Sequence, residues 1–404
     1  MSHPGMLILI MAIAVLAPLL AYGVSRWIPV PLVIFEILLG ILVGPDVLGW
    51  AQQEEFIDVL SDLGLTMLIF LAGYEIDFAA VRGDTLNRSI RAWMISLLAG
   101  LGIAYLLSGM DLDKTFVIGT ALTSTALGTV LPILRDSGDL RGRFGTVVLA
   151  FGAVGEFGPI IAMALLLSGR SPGKSTAVLI AFALITAGAV WWALRPRRPW
   201  FAGLVEKTLH SSGQFAVRFV MLLLACMLAL AYTFGLDTLL GAFAAGLITR
   251  LVLLGAAEGS SEEVLGKIEA MGFGFLVPIF FIVTGVEFDL AALLDGGRPL
   301  VLLPVFLVLF LVVRGGPLYL FAPRDLQRHD RLALVLYGST CLPLVVAITT
   351  IGLDNKSIDS GEAAAMVGAA MVSVLVFPLT GLRLRAGKGG PARPSRVGES
   401  LESW

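Results

Sequence analysis

Glu156 stands in the apolar stretch TVVLAFGAVGEFGPIIAMALLL, near the middle of a run long enough to cross a bilayer. A carboxylate at that depth costs at least ~2.5 kcal/mol on insertion scales. With so little water about, its charge has to be neutralised by a proton or a metal cation. The two compete for the same oxygens, and that competition is the minimal chemistry of ion exchange. A Glu kept protonated for structure, or locked in an ion pair, is the alternative use of such a residue. Gly152, Gly155 and Gly158 flank it and allow close helix packing or local unwinding.

Arg314, in FLVVRGGPLYLF, is the one basic residue well inside a span. It needs a counter-charge, and Glu156 is the obvious candidate. The alternative is a side chain that snorkels to the nearer interface. Two other segments carry small hydroxyls ahead of helix breakers. GTALTSTALGTVLPILRD holds Thr123, Ser124 and Thr125 before Gly128 and Pro132; GSTCLPLVVAITT holds Ser339, Thr340 and Pro343 at similar depth. Unwound backbone frees carbonyls there, and with the hydroxyls they are hard oxygen ligands suited to an alkali cation. Interrupted helices at corresponding places in two halves point to a midplane site. Ordinary Ser/Thr packing is the other reading of either segment alone. Glu36, in PLVIFEILLGILVGP, either lines a vestibule or fixes helix packing. Glu75, Asp77, Glu287 and Asp289 cap helix ends at the interface, and Asp62 is solvated near an outer end.

Composition decides what must hold these residues in place. The chain is 57% hydrophobic and only 14% charged, whereas a soluble domain carries roughly 25% charged residues. No water-soluble core of 404 residues could hide so much apolar surface. Spanning-length apolar segments recur at 6–24, 30–48, 56–79, 88–108, 114–136, 141–168, 174–194, 214–234, 236–254, 269–290, 299–320, 331–352 and 361–383. They predict an all-α polytopic membrane protein of about thirteen transmembrane helices. The first run lacks an Ala-x-Ala site, so no signal peptide is expected. With the N-terminus outside, 22 of the 28 Lys and Arg fall on the inner side and five on the outer. That bias predicts a cytoplasmic C-terminus. Residues 384–404 read as a short disordered cytoplasmic tail.

FLAGYEIDFAA, Phe70 to Ala80, matches IVTGVEFDLAA, Ile282 to Ala292, at Gly73/Gly285, Glu75/Glu287, Asp77/Asp289, Ala79/Ala291 and Ala80/Ala292. Each copy ends the third span of a six-span half, on opposite sides of the membrane. The pattern predicts two inverted six-helix repeats joined by a linker helix at 174–194.

Enzyme signatures are missing. There is no Cys/His metal spacing, no P-loop and no GxSxG elbow. His3, His210 and His329 lie outside the spans. Cys226 and Cys341 sit in apolar runs and read as core residues rather than a disulfide framework. A net charge of −2 gives no support to a nucleic-acid partner, and no cofactor is expected.

PLVIFEILLGILVGPDVLG, IFLAGYEIDF, ALTSTALGTVLPILRD, VRGGP and CLPLVVAITTIG together resemble the monovalent cation:proton antiporters of the Kef-type and NapA-type branch, from about residue 6 to 383. The resemblance implies a dimerising scaffold (6–79 and 214–290), a mobile core (88–168 and 299–383) and elevator-like alternating access. It also implies crossing helices where the spans at 114–136 and 331–352 unwind. Glu156 occupies the place of the essential ion- and proton-binding carboxylate, Thr123 and Ser124 fall on the unwound stretch, and Arg314 falls where the family has a basic charge partner. The partners implied are a monovalent cation (Na+ or K+), H+, the cytoplasmic-membrane bilayer and a second copy of the chain. This sequence departs from the family in having Glu156 where Asp is usual and Gly155 where Asp, Asn or Gln is frequent. It also lacks the nucleotide-binding domain of Kef-type channels. Gly155 and Gly158 leave room for a larger, organic solute on the same architecture, and a gated cation channel is the other competing reading.

Overall fold

The computed structural model describes residues 3–25, 30–52, 54–75, 83–136, 138–140, 142–166, 172–193, 214–253, 260–294 and 297–386, and every regular element among them is helical. The chain runs through α1 (His3–Ser25), α2 (Leu32–Val43), α3 (Glu55–Glu75) and α4 (Asp84–Leu107). Next come α5 (Leu112–Ala121), α6 (Leu127–Asp136), α7 (Arg143–Leu166) and α8 (Pro172–Ala193). The second half begins with α9 (Phe215–Phe234), α10 (Thr238–Leu253), α11 (Ser260–Met271), α12 (Val277–Val286) and α13 (Leu290–Leu294). It continues with α14 (Arg298–Leu309), α15 (Gly316–Phe321), α16 (Arg328–Gly338), α17 (Pro343–Asp354) and α18 (Ser360–Ala386). Single π-helical turns, Gly272–Leu276 and Phe310–Gly315, join α11 to α12 and α14 to α15.

Nine helices among the described residues are long and apolar enough to cross a membrane, and three shorter apolar helices accompany them. Helices are the economical choice in lipid because they satisfy every backbone polar group internally. Leu106, Leu184, Leu320 and Tyr232 are strongly exposed, an arrangement at home in lipid and costly in water. Cys226 is exposed as well, on α9, and is not the core residue its apolar surroundings suggested; Cys341 is buried as expected. An apolar run looks the same in sequence whether it faces lipid or core. Asp77, the end of the first repeat copy and the tail from residue 387 lie outside the described residues.

Two helix crossings depend on paired glycines. Where α2 meets α12, a methyl on Gly40 would strike the Ile282 carbonyl, and one on Gly285 the Ile37 carbonyl. Where α3 meets α10, a methyl on Gly246 would strike the Phe70 carbonyl, and one on Gly73 the Phe243 carbonyl. Small residues of this kind let backbones touch where lipid gives no hydrophobic drive to associate. The obstacle at Gly246 is backbone, which cannot swing aside. Gly246→Ala is expected to lower the thermal midpoint of the detergent-purified protein, at a cost on the order of 3 kcal/mol. Gly266→Ala, on α11 with open space around the added carbon, should leave the midpoint unchanged or slightly raised in the same melting assay.

Ion pairs tie a second group of helices at both ends. Glu362, at the start of α18, is buried and holds Lys114 of α5 at 2.7 Å and Arg298 of α14 at 3.5 Å. At the other end Arg385 of α18 reaches Asp139 at 3.3 Å and Asp330 of α16 at 3.4 Å, with its guanidinium 3.5 Å from the Phe144 ring centre on α7.

Candidate functional site

Two of the expected spans are broken where hydroxyls precede Gly or Pro. Helix stops between Ala121 and Leu127, and again between Gly338 and Pro343, which opens α17. The two breaks meet. Ala126 N–H donates to the Thr340 carbonyl at 2.6 Å, and the Thr125 hydroxyl donates to the Gly338 carbonyl. Thr125 N–H also donates to the Gly155 carbonyl of α7 at 3.0 Å. Each break thus supplies partners for polar backbone that the other leaves free, as buried backbone demands.

Thr123, Ser124, Ser339 and Thr340 are all buried at this meeting point. Thr123 and Ser124 donate back to the carbonyls of Thr120 and Ala121, at 2.8 and 2.6 Å. Those bonds orient their lone pairs outward, available as acceptors. Thr340 donates to Leu336 at 3.0 Å, while the buried Ser339 hydroxyl has no partner.

Arg314 is fully buried in the π-helical turn before α15, so it does not snorkel. Its Nε donates to the Thr125 hydroxyl at 2.9 Å and its Nη2 to the Phe151 carbonyl at 2.8 Å, while Nη1 has no partner. It makes no ion pair with Glu156. The reason lies in helix geometry. The guanidinium rests on Phe151 and Gly155, one turn apart on the same face of α7, and Glu156 projects about 100° further round. A methyl on Gly155 would strike both Nη2 of Arg314 and the Thr125 hydroxyl, and one on Gly158 would strike the Trp93 indole. The space that these glycines leave is filled by the protein's own side chains.

Glu156 is buried and, among the described residues, has neither a hydrogen bond nor an ion pair. The next residue, Phe157, stacks on Phe243 of α10, with ring centres 4.6 Å apart and planes at 21°. Glu36 is equally buried on α2 and has no partner among the described residues, and it is not brought to the meeting of the two breaks. Among the described residues, no group of three His, Cys, Asp or Glu is placed to hold a metal ion. Thr125, the last of the hydroxyl triplet, was read in sequence only as an oxygen ligand; in the structure it links Arg314, Gly155 and Gly338.

A family model described as the sodium/hydrogen exchanger, transmembrane, matches residues 11–383. The Na+/H+ antiporter of Enterococcus hirae is 23% identical over 388 residues, covering 92% of this chain and 96% of that protein. The Na+/H+-K+ antiporter GerN of Bacillus cereus is 26% identical, over 68% of this chain and 70% of its own. YjbQ of Bacillus subtilis is 25% identical over 94% of this chain, which spans 63% of YjbQ's length. In structure, the sodium proton antiporter MjNhaP1 from Methanocaldococcus jannaschii superposes with a TM-score of 0.65 at 17% identity, covering 94% of this chain and 95% of that one. The relatives are transporters rather than enzymes.

Proposed function

The chain belongs to the sodium/hydrogen exchanger family, and we propose that it exchanges a monovalent cation, Na+ or K+, for H+ across the cytoplasmic membrane. The observation that carries this reading is Glu156: a carboxylate buried at mid-span with no internal partner, beside the meeting of two broken helices. Proton and cation bind it in competition, and Thr123 and Ser124 add oxygens for the dehydrated cation. Arg314, seated on the neighbouring Gly155, sets a positive charge near the carboxylate when neither ion is bound. With one carboxylate at this place, exchange is one for one and electroneutral.

The proposed architecture is thirteen spans in two inverted repeats, with the N-terminus outside and the C-terminus in the cytoplasm. The paired glycines support the two-fold layout. The repeat equates Gly73 with Gly285 and Phe70 with Ile282, and the crossings add Gly40 with Gly246 and Ile37 with Phe243. Each residue of one crossing then makes the contact its counterpart makes in the other. The scaffold comprises 6–79 and 214–290 and carries the dimer interface. The moving core comprises 88–168 and 299–383, tied at one end by Lys114, Arg298 and Glu362 and at the other by Arg385. The rival reading, an organic solute seated at Gly155 and Gly158, loses its room to Arg314, Thr125 and Trp93.

The test is transport in proteoliposomes, offering Na+, K+ or Li+ with and without a membrane potential. The expected result is a cation-dependent pH change whose rate ignores the potential. A current that ignores the proton gradient would select a channel instead.

A further inference from the structure

The helices that lead to Thr123, Ser124 and Arg314 both begin at one carboxylate. Glu362, buried in the first turn of α18, takes Lys114 Nζ on its two oxygens, at 2.9 and 2.7 Å. Its Oε1 also lies 3.5 Å from Nη2 of Arg298. Lys114 is in the first turn of α5, and Arg298 opens α14. Glu362 is itself held in place. Its N–H donates to Asp359 Oδ1 at 2.7 Å, and its Oε2 accepts from Asp359 N–H at 3.4 Å. That reciprocal pair is a capping box, which fixes the carboxylate to the start of α18.

At its far end each anchored helix reaches the meeting of the breaks. α5 is ten residues long, a rod of about 15 Å. The Thr123 and Ser124 hydroxyls donate to the Thr120 and Ala121 carbonyls, at 2.8 and 2.6 Å, so they move with the end of α5. α14 runs on through the π-helical turn to Arg314, whose Nε donates to Thr125 at 2.9 Å. Packing along the sides also steadies these rods. Gly119 of α5 admits Leu101 of α4, Gly352 of α17 admits Val117 of α5, and Gly361 of α18 admits the Pro299 ring of α14. Apolar contacts of this kind are non-directional. The contact of Lys114 with both carboxylate oxygens has direction, and it sets how deeply α5 is seated against α18.

We propose that Glu362 is a positioning residue for cation selection. Without touching the ion, it registers the hydroxyls of Thr123 and Ser124 against Arg314, which is seated beside Gly155 on α7. Selection among cations turns on the size, ligand number and flexibility of the site. A binding constellation needs its groups held to within about 0.5 Å. Loss of the anchor at Lys114 lets α5 settle at several depths, and the hydroxyl oxygens then meet small and large cations almost equally. The inference rests on the exchange reading above and adds to it a determinant of which cation is carried.

The test is the apparent KM for Li+, Na+ and K+ at one pH in proteoliposomes, with kcat and a thermal melt beside it. Lys114→Met combined with Glu362→Gln removes both members of the contact together, so no lone charge stays buried there, and Gln still serves the capping box. Its KM values should converge, the ratio of weakest to tightest falling roughly three- to tenfold, with kcat changed less. Lys114→Arg keeps the charge and should keep the wild-type ratio. Gly246→Ala lowers stability in the scaffold and should leave the ratio alone, which separates positioning from plain loss of stability. Lys114→Met by itself leaves Glu362 with Arg298. It should shift the ratio in the same direction and by less, and it serves where the double variant does not fold. Equal KM values in the wild type, or an unchanged ratio in both Lys114→Met proteins, overturn the role of Glu362 alone. Absence of exchange in the wild type overturns both readings.

Discussion

Glu156→Gln should reduce cation-dependent proton movement to the level of protein-free liposomes, while the protein becomes no less stable. The two halves of that result have different causes. Gln matches Glu in volume, so the packing beside Phe157 and Phe243 survives. It neither takes up a proton at neutral pH nor offers a negative charge to a cation, so both legs of the exchange stop. Stability moves the other way because Glu156 has no internal partner to lose. A neutral amide at mid-membrane avoids a charge worth at least ~2.5 kcal/mol on insertion scales. Loss of transport through misfolding would instead lower the melting temperature, so a melt beside the flux assay separates the two. Glu156→Asp keeps the charge on a shorter arm and should retain exchange with altered cation affinity. Full exchange by Glu156→Gln would sink the mechanism.

The spans were legible because lipid enforces one rule on every helix: a long apolar run. The breaks were legible too. Thr123 to Thr125 ahead of Gly128, and Ser339 and Thr340 ahead of Pro343, mark places where side chains can replace backbone partners, and helix stops there. Side-chain direction was not legible. Arg314 and Glu156 are charges of opposite sign inside apolar spans, and pairing them is the natural inference from sequence. Which face of α7 meets Arg314 depends on the π-helical turn Phe310–Gly315, and no residue pattern announces that turn. The same blindness hid the exposure of Cys226, since lipid and core can both border one apolar helix. Gly155 was misread as spare room because a glycine shows only what its own residue lacks, and the guanidinium that fills the space arrives from a helix far along the chain.

That seat gives the second large effect. Gly155→Ala puts a carbon where Nη2 of Arg314 and the Thr125 hydroxyl already are. The guanidinium must leave, and with it go its bonds to Thr125 and to the Phe151 carbonyl. A hydrogen bond to a charged group contributes roughly 1.5–3 kcal/mol, so the expected loss of stability is on the order of 4 kcal/mol. The contact between the breaks suffers as well, because Thr125 bonds both Arg314 and Gly338. Steric damage at α7 alone would produce a similar single-mutant loss, and a double-mutant cycle tells them apart. Once alanine has expelled the guanidinium, Arg314→Met removes little more. The cost of Arg314→Met should therefore shrink in the Gly155→Ala background, with a coupling on the order of 2 kcal/mol. Additive losses in the thermal melts would mean that Gly155 does not seat Arg314, and the positive charge would then have to act on Glu156 from elsewhere.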